Sequence, residues 1–344
     1  MRPAFRSNQA AVAWIVLLLV LLFLPVVLDR VGLPPRVEAY KSVGTNAGRV
    51  GGVIRSIYEN PDDAGIVFLG SSLLDAGIDR ELMEQGLAQG GHRIPVEILA
   101  MNWPGLDLQY FLLRDYLSRH KVCLVVWNLP EPHSRAYDSP HIQSYRWIRF
   151  GEYADALAGL PLQYRLSLYG EMVLGAPRQA LSMVRPNLIA NEALQEDASL
   201  MHTGYNRSSF VVDQFKAPDA AQLLPPESSS LDVVGPAPGV YQMHFARRIL
   251  ALVKSHGCSL VLIHVPIDAE YGQSKIPELA NWQQEFADPV RMIGIPSSGL
   301  FPGLDKERYL HFYRDAHFNQ NGAQVFTRSI LPAVRQAYEQ TNGD

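Results

Sequence analysis

Four short blocks along the chain carry side chains able to do nucleophilic chemistry. Gly70-Ser71-Ser72-Leu73 comes directly after the apolar run at 66–69. A serine at a strand-to-helix turn can project its hydroxyl from a sheet while local backbone N–H groups face a developing oxyanion. Two serines before a helix also make a good N-cap, so this block alone leaves both readings open. Asn102-Trp103-Pro104-Gly105 comes after a second run, 96–101. There Gly105 would let the backbone approach a substrate and offer its N–H, or would simply make a turn. Asn128-Leu129-Pro130-Glu131 comes after a third run, 122–127, and the Asn128 amide is able to donate to an oxyanion or to cap a turn before the proline. Near the end stands Asp315-Ala316-His317. A histidine acting as base needs an unprotonated nitrogen, and a neighbouring carboxylate fixes its tautomer and stabilises the imidazolium. Asp315 and His317 are close enough for one loop to present both.

The elements that must position these blocks alternate along the chain. Short apolar runs at 66–69, 96–101, 122–127, 259–265 and 292–295 predict strands. Between them, helical spacing predicts helices over 108–120, 241–256, 281–286 and 322–338. Strands separated by helices imply an α/β fold with a central parallel sheet covered on both faces. Ligands in such folds bind outside the carboxyl ends of the strands, which is where all four blocks fall. The rhythm breaks at 134–239, where short helical segments give way to the Pro/Ser/Gly-rich LLPPESSSLDVVGPAPG. That stretch is expected to be a helical and irregular insertion into a domain made of 61–133 and 240–340.

Residues 10–28 contain no charged or strongly polar side chain, and these 19 residues come close to the roughly 20 needed to cross a hydrocarbon core. Arg2 and Arg6 precede them and predict a cytoplasmic tail, 1–9, with the body of the protein on the other side of the membrane. A cleavable signal peptide would have a shorter apolar region ending in a small-x-small site. The residues after position 28 are instead Asp29-Arg30-Val31-Gly32-Leu33-Pro34-Pro35-Arg36. An uncleaved single-pass anchor is therefore expected, with 29–60 as linker and lead-in helix.

Composition narrows the function classes. Hydrophobic residues make up 47% and charged residues 19%, enough to bury a core and against general disorder. A net charge of −4 gives no basic field for nucleic acid. Two cysteines, Cys123 and Cys258, exclude a disulfide framework and a cysteine-rich zinc site; both lie in strand-like runs, where buried free thiols are expected and a single bridge between neighbouring strands is the alternative. His133, His141 and His311 lack metal-ligand spacing, and there is no glycine-rich phosphate loop, so neither metal nor cofactor is expected. His264, at the end of the fourth strand, faces the same edge as the four blocks, either beside a substrate or as a satisfied buried histidine. Arg146, Arg149 and Arg165 could meet an anionic glycan or lie scattered on the surface. The excess of arginine over lysine hints at a bacterial source, in which the Asn206-Arg207-Ser208 acceptor pattern carries no meaning.

In their order, the four blocks resemble the SGNH/GDSL hydrolase superfamily, whose members place a serine after strand one, a glycine after strand two, an asparagine after strand three and an Asp/His pair before the last helix. The resemblance covers about 66–128 and 241–338 and implies an SGNH-like (flavodoxin-like) three-layer fold, with Ser72 as nucleophile, His317 as base and Asp315 as its orienting acid. It further implies Gly105, Asn128 and the Ser72 backbone N–H as the oxyanion hole. Gly70-Ser71-Ser72 matches the family's Gly-Asp-Ser with Ser71 in place of aspartate, and two departures stand out: the spacing of the Asp/His pair, and Asn128 in Trp-Asn-Leu-Pro-Glu rather than Gly-x-Asn-Asp. The family's usual Asp-x-x-His would put the acid at position 314, which is Arg314; the closer Asp315-Ala316-His317 is similar to the periplasmic alginate O-acetyltransferases. An anchored protein with a Gly-Ser-Ser block is similar also to the teichoic-acid D-alanylation factor.

The resemblance implies a bacterial inner-membrane protein with a periplasmic domain that transfers acyl groups to an envelope or exported polysaccharide through an acyl-serine. Its implied partners are a glycan or acyl-ester substrate and a membrane-embedded acyl exporter. An anchored esterase using the same residues with water is the second reading. A non-catalytic scaffold of a polysaccharide export or modification complex is the third, and the two catalytic readings fail if Ser72 and His317 cannot come within hydrogen-bond reach.

Overall fold

A computed structural model of the 344-residue chain describes residues 7–32, 35–41, 50–88, 93–102, 105–129, 140, 149–184, 222–224, 237–276, 282, 286, 290–314 and 316–342. Five strands form the centre: β1 (Ala64–Ser71), β2 (Val96–Met101), β3 (Val122–Asn128), β5 (Ser259–Ile263) and β6 (Met292–Gly294). All pair in parallel, and across the sheet they run β2-β1-β3-β5-β6. Counting the parallel strands alone, this is the 2-1-3-4-5 order of flavodoxin-like sheets, with its switch point between β1 and β3. The expected α/β class with a parallel sheet is thus present.

Each strand is buried on both faces because its residues alternate between two cores. Val67, Leu69, Val125 and Trp127 point to one, beneath α6 (Leu106–Leu117) and α9 (Val240–Ser255). Ile66, Phe68, Leu124 and Val126 point to the other, beneath α4 (Ser72–Gly77), α5 (Arg80–Leu87) and α12 (Gln320–Asn342). The register aligns the carboxyl ends: Ser71 opposite Met101, Leu69 opposite Trp127, and Asn128 opposite Ile263.

Two features differ from the expectation. Among the described residues, the 134–239 segment contributes the helices α7 (Phe150–Ala156) and α8 (Leu162–Val184), in keeping with a helical insertion, and also a sixth strand, β4 (Gln222–Leu224), which joins the sheet edge antiparallel to β6. Three residues are too few to show any periodicity, so a strand of this kind is recruited by an open edge rather than by its own pattern. Around the Asp/His block the expected loop is a two-stranded hairpin, β7 (Tyr313–Arg314) and β8 (His317–Phe318), with Arg314 opposite His317.

The N-terminal helix α1 (Asn8–Arg30) is long and apolar enough to cross a membrane, and residues 12–20 are exposed. Its C-terminal end is fastened to the body. Asp29 accepts a hydrogen bond from the Gly151 N–H at 2.9 Å. In α2 (Arg36–Lys41), the Arg36 guanidinium binds Asp115 of α6 at 2.7 and 3.0 Å and Glu152 of α7 at 2.8 Å. The buried Tyr40 hydroxyl donates to the same Asp115 at 2.6 Å. Between this clamp and the sheet, α3 (Val50–Ile54) runs on into a wider π turn, Arg55–Glu59. Lys306–Leu310 (α11) and Ser297–Leu300 (α10) complete the helices named here.

Candidate active site

The two serines after β1 divide the two roles their sequence allowed. Ser71 is the N-cap of α4: its Oγ accepts from the Leu73 N–H at 3.4 Å and donates to Asn128 Oδ1 at 3.5 Å. Ser72, the first helical residue, is left to point elsewhere, and its Oγ lies 2.9 Å from His317 Nε2. Gly70 makes the turn possible by close approach. A Cβ there would stand 2.9 Å from Leu74 Cδ2 and 3.0 Å from Asn128 Cβ, so both neighbours would have to give way.

His317 reaches Ser72 because the β7–β8 hairpin is braced from behind. Asn319 caps α12 through the Gly322 N–H (3.0 Å), while its amide donates to the His311 carbonyl at 2.6 Å. Its backbone N–H donates to the Phe312 carbonyl at 2.9 Å. Gly322 packs so tightly that an added Cβ would run into that same carbonyl. At the hairpin turn Ala316 holds φ at 65°, the one non-glycine in the left-handed region among the described residues. That conformation costs a residue with a Cβ about 1–2 kcal/mol. Asp315, the expected orienting acid, lies outside the described residues. For Nε2 to accept from Ser72, the ring proton must sit on Nδ1, the nitrogen that an orienting carboxylate takes.

The two expected oxyanion donors occupy the same sheet edge. Gly105 is buried as the N-cap of α6, with φ −69°. Asn128, buried at the end of β3, donates one amide hydrogen to the Ile263 carbonyl at 3.2 Å and accepts from Ser71. Its first role is therefore to brace β1 against β5, one residue from the serine–histidine contact. Trp103 and Pro104 lie outside the described residues, as do His133, His141, Arg146 and Asn206.

His264 is a satisfied buried histidine: its Nε2 lies 2.9 Å from Glu270 Oε2, and Glu270 Oε1 accepts the Ile267 N–H at 3.3 Å. The Tyr309 hydroxyl donates to the Ile267 carbonyl at 2.7 Å and stands 3.0 Å from the Tyr313 hydroxyl, tying the segment after β5 to the hairpin. Burial pushes the Tyr309 phenol up to about 12 and Tyr313 higher still, so both remain neutral hydroxyls. Neither tyrosine nor Asn319 stood out in the sequence. Asn319 carried a signal, a cap residue immediately before a helical pattern and two positions after the histidine.

Beside the hairpin, between α4, α5 and the start of α12, lies a cleft of about 800 Å³ lined by Asp75, Asp79, Arg80, Glu84, Phe318 and Asn319 among others. Among the described residues, no three His, Cys, Asp or Glu side chains are grouped to hold a metal ion. Cys123 and Cys258 are free thiols, and burial raises the Cys258 thiol to about 11. Compared with family models, curated proteins and solved structures, the chain finds no match.

Proposed function

We propose that the protein is a membrane-anchored, extracytoplasmic serine acyltransferase that modifies an envelope or exported polysaccharide through an acyl-serine. The observation that carries this reading is the 2.9 Å contact between Ser72 Oγ and His317 Nε2 at the carboxyl edge of a parallel sheet. Ser72 Oγ attacks the acyl carbonyl carbon while its proton passes to His317 Nε2. The tetrahedral oxyanion is met by the Ser72 backbone N–H and by donors from Gly105 and Asn128. Collapse breaks the bond to the leaving oxygen, which takes the proton from His317. In the second half a sugar hydroxyl gives its proton to His317 and attacks the acyl-serine, and His317 returns that proton to Ser72. Asp315 serves in this scheme as the acid that orients His317.

The anchor supports transfer at a membrane surface, where a membrane-embedded exporter would deliver the acyl group. The half-exposed Ser72 and His317 favour hydrolysis by the same intermediate as the second reading, since water reaches both. The test uses the full chain in detergent micelles with p-nitrophenyl acetate, read by intact mass. An acetyl adduct on wild type that is missing from Ser72→Ala supports the acyl-serine. Faster loss of the adduct with added oligosaccharide than in water supports the transferase, and equal loss supports the esterase. A folded wild type that gains no adduct from acetyl, longer-chain or aminoacyl esters overturns both and leaves the scaffold.

A further inference from the structure

The helix α8 has two apolar faces, and the described residues cover one of them. Leu168, Met172 and Ala176, at i, i+4 and i+8, are buried, the first two within the core beneath α6 and α9. On another side Leu162, Leu166, Leu174, Leu181 and Val184 are 49–78% exposed. At 100° per residue these five fall within an arc of about 120°, the width of an apolar stripe that normally meets a core. Gly170 and Pro177, also exposed, lie inside the same arc, and Gln163 in the first turn is its one polar side chain. A run of exposed apolar side chains along one helix face marks an interaction surface.

The neighbour of α8 indicates what covers that strip. The helix packs along the C-terminal third of α1, where Leu21, Leu24, Pro25 and Leu28 are shielded, spaced i, i+3, i+4 and i+7. The Tyr169 hydroxyl donates to the Leu22 carbonyl at 2.7 Å. Leu22 lies six residues inside the apolar run that ends at Leu28, roughly 9 Å along the helix axis. That matches the roughly 5–10 Å to which interfacial amphipathic helices sink their apolar faces. Near Tyr169 the exposed strip of α8 thus lies beside the exposed apolar surface of α1, within the last 9 Å or so of its apolar run.

We infer that α8 is an interfacial membrane helix whose Leu162, Leu166, Leu174, Leu181 and Val184 are buried among phospholipid acyl chains in the leaflet from which α1 emerges. The inference rests on α1 crossing a membrane. It adds a second lipid contact which, with the Arg36 and Asp29 clamps, holds the catalytic edge in one orientation over the bilayer instead of leaving it on a tether.

The test places single cysteines in the full-length chain, in a Cys123→Ala, Cys258→Ala background, at Leu166, Leu174 and Leu181. Leu17→Cys in α1 and Val240→Cys on the exposed start of α9 are the references. Each is labelled with the environment-sensitive fluorophore NBD and reconstituted into phosphatidylethanolamine/phosphatidylglycerol vesicles containing doxyl-labelled lipid. The expected result is loss of emission at 166, 174 and 181 approaching that at 17, with 240 unquenched. Quenching at 17 while 166, 174 and 181 behave like 240 overturns the inference and leaves the anchor standing; a protein partner would then be the occupant of the strip. No quenching at 17 removes the anchor and this placement with it.

Discussion

Ser72 Oγ and His317 Nε2 meet at 2.9 Å across 245 residues of chain, one held on the first turn of α4 and the other on the β7–β8 hairpin. Each is aimed by its neighbours in the chain, and only the fold brings the two together. The serine depends on Gly70 and the Ser71 cap, and the histidine on Asn319 and Gly322.

If the contact is a nucleophile and its base, Ser72→Ala and His317→Ala each lower acyl turnover by about 10³-fold or more, and the double variant is scarcely worse than either. Steady-state kinetics on an activated ester check this, with unchanged thermal unfolding as the control. Additive losses would mean that the two residues do not act together.

Gly322→Ala is expected to destabilise the protein by about 1–3 kcal/mol, because the new methyl meets a backbone carbonyl that cannot rotate away. Chemical denaturation measures the loss, and activity should fall further than stability as the hairpin shifts.

At the hairpin turn the opposite holds for stability. Ala316→Gly relieves the left-handed strain but adds unfolded-chain entropy, leaving a net gain of up to about 1 kcal/mol. Activity should nonetheless decline, because the turn that aims His317 becomes looser. A melting curve and a kcat on the same preparation separate the two effects.

Arg36→Ala leaves Asp115 buried without its main cation and should cost about 3–5 kcal/mol. Arg308→Ala, which breaks the exposed pair with Asp305, should cost no more than about 1 kcal/mol. Denaturant titrations at low and high salt compare them; equal losses would show that the clamp on α2 contributes nothing special.

His244 on α9 sets a pH dependence. Its Nε2 contacts the Ala156 carbonyl at 2.8 Å, and burial lowers its pKa below the ordinary 6.5, with Arg248 and Arg247 opposing the charge further. The unfolded chain therefore takes up this proton first, so the contribution is full above pH 6.5 and declines as pH falls from there toward the folded value. Comparing wild type with His244→Asn between pH 7.5 and 5 should show a steeper decline in the wild type.

The apolar runs at 66–69, 96–101 and 122–127 and the helical spacing between them determined the α/β class, because burial on both faces needs near-continuous apolar strands and a period of 3.6 needs a helix. The uncharged stretch 10–28 likewise determined one helix able to cross a membrane. Composition could not say which serine points outward. That depended on Asn128 and Leu73 occupying Ser71, a contact that exists only once β1 and β3 are side by side. Asn128 drew notice as an oxyanion donor, yet its bond to Ile263 exists only because β3 and β5 are neighbours. The exposed strip on α8 was invisible for a related reason: a helix with two apolar faces reads simply as apolar, and only packing distinguishes the face against Leu168 and Met172 from the one left open beside α1. Local pattern decides what each segment becomes, whereas which side chains meet is decided by long-range pairing that no single segment contains.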